Sequence, residues 1–135
     1  MIDKIKNIKK WFSKGDEDLA MSLPDNENAT FILMVDNIKV GELHCESGSW
    51  EFKYSAEFKS QTDVYKRIVG FPDMNKTYHN ETLWPFFRIR IPGLKQPSVQ
   101  EILEKENIDQ GNEVALLKRF GRKTTSNPYE LLIAS

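Results

Sequence analysis

One cysteine in 135 residues, Cys45, leaves this chain no internal disulfide, and with it goes any sign of an oxidising compartment. No apolar run approaches the roughly 20 residues that a membrane-spanning helix needs. There are only two histidines, His44 and His79, far apart and in no spacing that makes a metal site. His44 beside Cys45 is no exception, because neighbours in a strand point to opposite faces. The chain has no glycine-rich phosphate loop, nucleophile elbow or kinase signature, and its carboxylates form no pair that stands out from surface charge. Recognisable enzyme chemistry is therefore excluded, and no cofactor or metal is expected. Charge of one sign is missing too: the net value of −1 sets up no global field for nucleic acid or an acidic membrane. The N-terminus lacks the uninterrupted apolar core of a secretory signal, since Lys6, Lys9 and Lys10 cut through it. The N-x-T triplets at Asn28, Asn75 and Asn80 are accordingly read as chance, and the chain as cytoplasmic.

What is present is a domain-sized chain, 39% hydrophobic and 29% charged, long enough to bury one core. Ile2, Ile5, Ile8 and Phe12 recur at helical spacing among Lys4, Lys6, Lys9, Lys10 and Lys14, so residues 2–13 read as a basic amphipathic helix. Docking of that helix on its own domain or on a partner is favoured over a membrane surface, because Asp16-Glu17-Asp18 follow at once. Residues 1–18 thus form a helix and acidic linker, and 19–135 the domain proper. From Thr30 the period changes to two. Phe31-Ile32-Leu33-Met34-Val35, Lys39 to Cys45, and Trp50, Phe52 and Tyr54 predict a three-stranded antiparallel meander turned at Asp36-Asn37 and Ser47-Gly48-Ser49. Residues 64–69 read as a short strand, 70–73 as a loop, and 78–84 as holding one helical turn. Helical patterning returns over 98–106, opened by a capping box from Ser98 to Glu101, and over 112–120, closed by Gly121. The segment 130–134 is of undetermined type. The expected class is α+β: a small curved antiparallel β-sheet, barrel-like, with helices packed at one side and the N-terminal amphipathic helix added.

The helices 98–106 and 112–120, joined by a glycine-containing turn, mimic a helix-turn-helix, and Lys118, Arg119, Arg122 and Lys123 gather at its end. A DNA-associated regulator using residues 98–123 is therefore the alternative reading. Groove readers usually reach bases from the start of the second helix, however, and here those positions hold Asn112 and Glu113, the latter repelling phosphate.

The most telling stretch is Leu83-Trp84-Pro85-Phe86-Phe87-Arg88-Ile89-Arg90-Ile91-Pro92. The two prolines bar a long helix, and three large rings would not be left in water. Arg88 and Arg90 alternate with Phe87, Ile89 and Ile91, which implies a face that is wet or paired with acidic groups. Two readings stand: core packing alone, or core packing plus contact with a partner. Arg and Trp are the residues most enriched at the energetic centres of interfaces, so Trp84, Phe87, Arg88 and Arg90 are the candidate partner-binding anchors.

In the order of its motifs the chain resembles the N-terminal subdomain of HipA-type serine/threonine kinase toxins. Val40-Gly41-Glu42-Leu43 matches the family's strand-pair turn, and Trp50-Glu51-Phe52-Lys53-Tyr54 its aromatic strand. Phe71-Pro72-Asp73 matches the proline loop, and 84–92 the "pFF…R-(I/L)-P" motif. Asp109 to Phe120 with Leu116-Leu117, then Gly121-Arg122, parallels its last helix and glycine turn. The likeness runs from about Thr30 to Ile133 and leaves the helix 2–13 unexplained. The kinases of that family continue into a catalytic domain, and none of its residues has a counterpart here. The resemblance therefore implies a non-catalytic domain, akin to the free-standing HipS antitoxin of split systems. Its expected partners are a HipA-like kinase toxin and, alongside, a HipB-like DNA-binding protein, with no direct nucleic-acid contact.

Overall fold

The computed structural model describes residues 27–134. The helix expected over 2–13, and the whole of the 1–18 segment, lie outside the described residues. The meander forms as the alternation predicts: β1 (Ala29–Val35), β2 (Ile38–Glu46) and β3 (Ser49–Tyr54) pair antiparallel in sequence order. Asp36 and Asn37 both take positive φ, 48° and 66°, as do Ser47 and Gly48, 50° and 79°. Two consecutive left-handed residues twist a tight turn the way the strands themselves twist. Phe31, Leu33, Leu43, Cys45, Trp50 and Phe52 are buried on one face. His44 lies on the other, where its Nδ1 and the Thr30 hydroxyl are 2.8 Å apart. The β1–β2 register slips between Leu33 and Met34, which face Gly41 and Lys39. Val40 is thereby left without a strand partner, and the bulge lets consecutive Val40 and Gly41 both be buried.

Beyond β3 the structure departs from the expected pattern. Ser55 caps a one-turn helix, α1 (Ala56–Lys59), by accepting from Phe58 N, and Phe58 drops into the core stacked on Tyr54 at 5.6 Å. Residues 64–69 are not a strand. The buried Tyr54 hydroxyl accepts from Ile68 N at 3.0 Å and donates to Phe71 O at 2.6 Å, so a side chain holds this segment where a ladder was expected. Desolvation pushes that hydroxyl's pKa up to about 12, which keeps it a neutral donor. Instead of a helical turn within 78–84, Tyr78–Asn80 adds β4 to the edge of β3. The helical turn comes later, at α2 (Pro85–Arg88), where Pro85 presets the first φ.

Two longer helices follow, α3 (Pro97–Lys105) and α4 (Glu113–Phe120). The capping box does not form: Pro97 starts α3 one residue early, so Gln96 is the N-cap, without a side-chain bond, and Ser98 lies inside the first turn. Asn112 does cap α4, accepting from Ala115 N at 3.1 Å. The undetermined C-terminal segment is β5 (Glu130–Ile133), antiparallel to β1. The sheet order β4-β3-β2-β1-β5 is linear, so the sheet is open and mixed with helices in an α+β fold. Phe58, Phe71, Phe87, Val114 and Leu117 close the buried face of the sheet into the main core. Leu116, on the same helix α4, joins Val99 and Leu103 in a smaller cluster that anchors α3. None of the described helices is long and apolar enough to cross a membrane.

At Gly41 an added Cβ would run into the carbonyl oxygen of Lys53 and the ring of Phe52. A backbone atom in a sheet cannot step aside as a flexible side chain can. Gly41→Ala is expected to cost about 1–3 kcal/mol, read as a lower urea midpoint with an unchanged slope.

Candidate functional site

The stretch 83–92 lies over the open end of the core, and its local geometry follows from its prolines. Trp84, extended before Pro85, offers its carbonyl to Phe87 N and Arg88 N, both at 3.0 Å, and the chain turns once. That turn sends Phe87 inward, fully buried against Phe52 at 5.5 Å and Phe71 at 6.0 Å. Trp84 is half-buried, its ring edge-on to Phe71 at 5.2 Å. The two-residue alternation of arginine and apolar side chains does not describe this backbone, because it is a helical turn followed by further turns. As a result Ile89 points to solvent, 49% exposed, and Arg90 is buried at 4%.

Both arginines are held. Arg88 Nη2 donates to Glu113 Oε2 at 2.9 Å, and Glu113 Oε1 accepts from Trp50 Nε1, also at 2.9 Å. Glu113 is only 1% exposed and sits in the first turn of α4, where the helix dipole favours a negative charge. The expected acidic partner for an arginine is therefore present, but inside the molecule. Among the described residues Arg90 meets no carboxylate. Its Nη1 donates to Gly121 O and Arg122 O at 3.0 and 3.3 Å, and its Nη2 to Asn127 Oδ1 and Tyr129 O at 3.2 and 2.9 Å. Burial pulls its pKa down to about 10, which leaves it a cation at neutral pH. One guanidinium thus ties α2 to the end of α4 and to the approach of β5.

Of the four candidate anchors, Phe87 and Arg90 lie within the domain, while Trp84 and Arg88 keep part of their surface. Pro85 and Ile89 complete the outer side of the turn, where a period of two would place Ile89 inward. Glu113 was missed as well, since its partners are 25 and 63 residues away in the chain.

The second candidate cluster is dispersed. Arg119 makes a two-pronged pair with Glu106 at 2.8 and 3.1 Å, which lowers the Glu106 pKa, and Arg122 reaches Glu130 at 3.1 Å. Lys118 and Lys123 are exposed. The start of α4, which would have to enter a DNA groove, is enclosed through Glu113 and Val114. Among the described residues no group of three His, Cys, Asp or Glu side chains could hold a metal ion.

The family model described as the HipA N-terminal domain matches residues 31–125, and the chain belongs to this family. The match takes in the strand-pair turn at 40–43, the 84–92 motif and the last helix. No curated protein matches the chain.

Removing the Arg90 guanidinium would take the side-chain donor from Gly121 O and Tyr129 O at once, while Arg122 O keeps Leu131 N. Arg90→Ala is expected to cost at least about 3 kcal/mol, with amide exchange rising first across 121–133. Arg90→Lys should recover little of this, because a point ammonium cannot span acceptors on two sides as the planar fork does.

Proposed function

We propose that this member of the HipA N-terminal domain family is a non-catalytic docking domain that binds a HipA-type serine/threonine kinase and regulates it, as an antitoxin would. The family match supports a HipA-like domain. The observation that carries the docking surface is the inversion within the 83–92 motif: its arginines and Phe87 are turned to internal partners, while Ile89, Pro85 and part of Trp84 are left outside. A short turn pinned from beneath by Phe87 and Arg90 loses little conformational freedom on binding, so burial of its apolar groups is offset by a smaller ordering cost. Arg88, about one-third exposed, adds a charge beside them, already oriented by Glu113. In this reading Trp84 and Arg88, with Ile89, touch the partner, while Phe87 and Arg90 hold the turn in shape.

The test is co-expression with an affinity-tagged HipA-type kinase. Ile89→Asp places a charge where the side chain has no role in the core, so its melting temperature and circular dichroism should stay unchanged. Kinase-bound chain should nevertheless fall by about tenfold or more. Trp84→Ala should weaken recovery in the same direction, with a lower melting temperature because its ring also packs on Phe71. Recovery of the kinase undiminished by Ile89→Asp and Trp84→Ala together would contradict this surface. Failure of the unaltered chain to bind any HipA-type kinase would remove the kinase reading. Kinase autophosphorylation unaffected by saturating chain would leave a docking domain without a regulatory effect.

A further inference from the structure

The loop between α1 and β4 carries a second unexplained surface. Val64 and Val69 are 68% and 91% exposed, an unusual position for two apolar side chains on one loop. The backbone beneath them is anchored: the Tyr54 hydroxyl holds Ile68 and Phe71, and the Tyr65 hydroxyl donates to Asp36 at 2.9 Å. The valines are thus presented on a secured segment. Between them stand Lys66 and Arg67, both exposed.

Two clefts of about 380 and 300 Å³ adjoin this loop and share Thr62 and Arg67 in their walls. Lys59 lines the larger and Lys66 the smaller. Lys39, Arg88, Arg119 and Arg122 each pair with a carboxylate of the described residues, whereas Lys59, Lys66 and Arg67 hold no such ion pair there. The carboxylate in the cleft walls, Asp73, already accepts from Asn75 N at 2.9 Å.

We propose that this loop is a docking surface for an acidic, partly apolar peptide segment of a partner protein. Its carboxylates would meet Lys59, Lys66 and Arg67, and its apolar side chains Val64 and Val69. Cations alone would serve a nucleic-acid backbone equally well, but exposed valines would gain nothing from phosphates. Base stacking calls for an open aromatic face. Of the two rings of this loop, Tyr65 is instead half-buried and stacked on Phe58 at 5.7 Å, and Phe71 is fully buried. The surface shares no residue with the one proposed at 84–89 and does not depend on the partner being a kinase.

The test is fluorescence anisotropy of a labelled peptide of alternating glutamate and valine, titrated with the full chain. Binding is expected to weaken steeply as salt rises from about 50 to about 300 mM. It should fall about tenfold in the Lys66→Glu/Arg67→Glu double variant, whose melting temperature should be unchanged because both side chains are exposed and neither forms an ion pair among the described residues. Val64→Ser/Val69→Ser should weaken it about fivefold through lost apolar burial. Ile89→Asp should leave it unaltered, which separates this surface from the kinase-docking one. Absence of peptide binding, or binding indifferent to the charge reversal, would overturn the proposal. Loss confined to the charge variant with none in the valine variant, equal affinity for a single-stranded oligonucleotide of the same charge, or displacement by millimolar phosphate would each overturn it in favour of a simple anion site.

Discussion

A single buried carboxylate joins the three parts of this fold. Glu113 belongs to α4, its oxygens are bound to a tryptophan on β3 and an arginine at the end of α2, and almost none of its surface meets water. Burying an unpaired carboxylate would cost several kcal/mol, so this arrangement stands only because two donors and the start of a helix all face it. The consequence is positional. The indole N–H of Trp50 and the guanidinium of Arg88 both lie within hydrogen-bond reach of one residue, so the sheet, the turn at 85–88 and the last helix cannot shift independently. Arg90 extends the same linkage to the end of α4 and the approach of β5. The desolvation cost of such a buried pair offsets much of its attraction, so its visible consequence here is the fixed position of the turn.

The parts of the fold that were legible in the sequence are those whose physics is local. The meander shows itself through period-two burial and turn residues able to take positive φ, and α4 through its apolar stripe and Gly121 stop. Residues 70–73 read correctly as a loop, but 64–69 was illegible because Tyr54, a strand residue, holds it by a hydroxyl bond to Ile68 that leaves no periodic trace. For the same reason Val64 and Val69 read as strand residues when they are exposed. β4 was missed since three residues carry too short a pattern, and the capping box was displaced by a proline one position upstream. The 83–92 motif was recognised as special, and its inward Phe87 and acid-paired Arg88 are found, but a period of two puts Ile89 and Arg90 on the wrong faces once the backbone turns. Family membership was legible because it rests on the order of several motifs, and the matched span, 31–125, lies within the one read from those motifs.

The domain has two kinds of surface over one core. Trp84 and Ile89 border a turn held by internal arginines, and the 61–77 loop presents valines and cations. Phe71, from that loop, joins them, with its ring against Trp84 at 5.2 Å and its carbonyl accepting from Tyr54. Both surfaces are therefore supported by the same aromatic layer, and neither depends on a long flexible segment for its shape. Such preorganisation suits a domain that works by being bound, since little ordering remains to be done when a partner arrives.

The most direct measurement is hydrogen–deuterium exchange on the chain, alone and saturated with a HipA-type kinase. Protection gained over 84–91, with residues 112–123 unchanged by the kinase, is the expected result. A stable complex with no added protection in that turn, or with protection concentrated on the basic end of α4, would contradict the docking surface assigned to it.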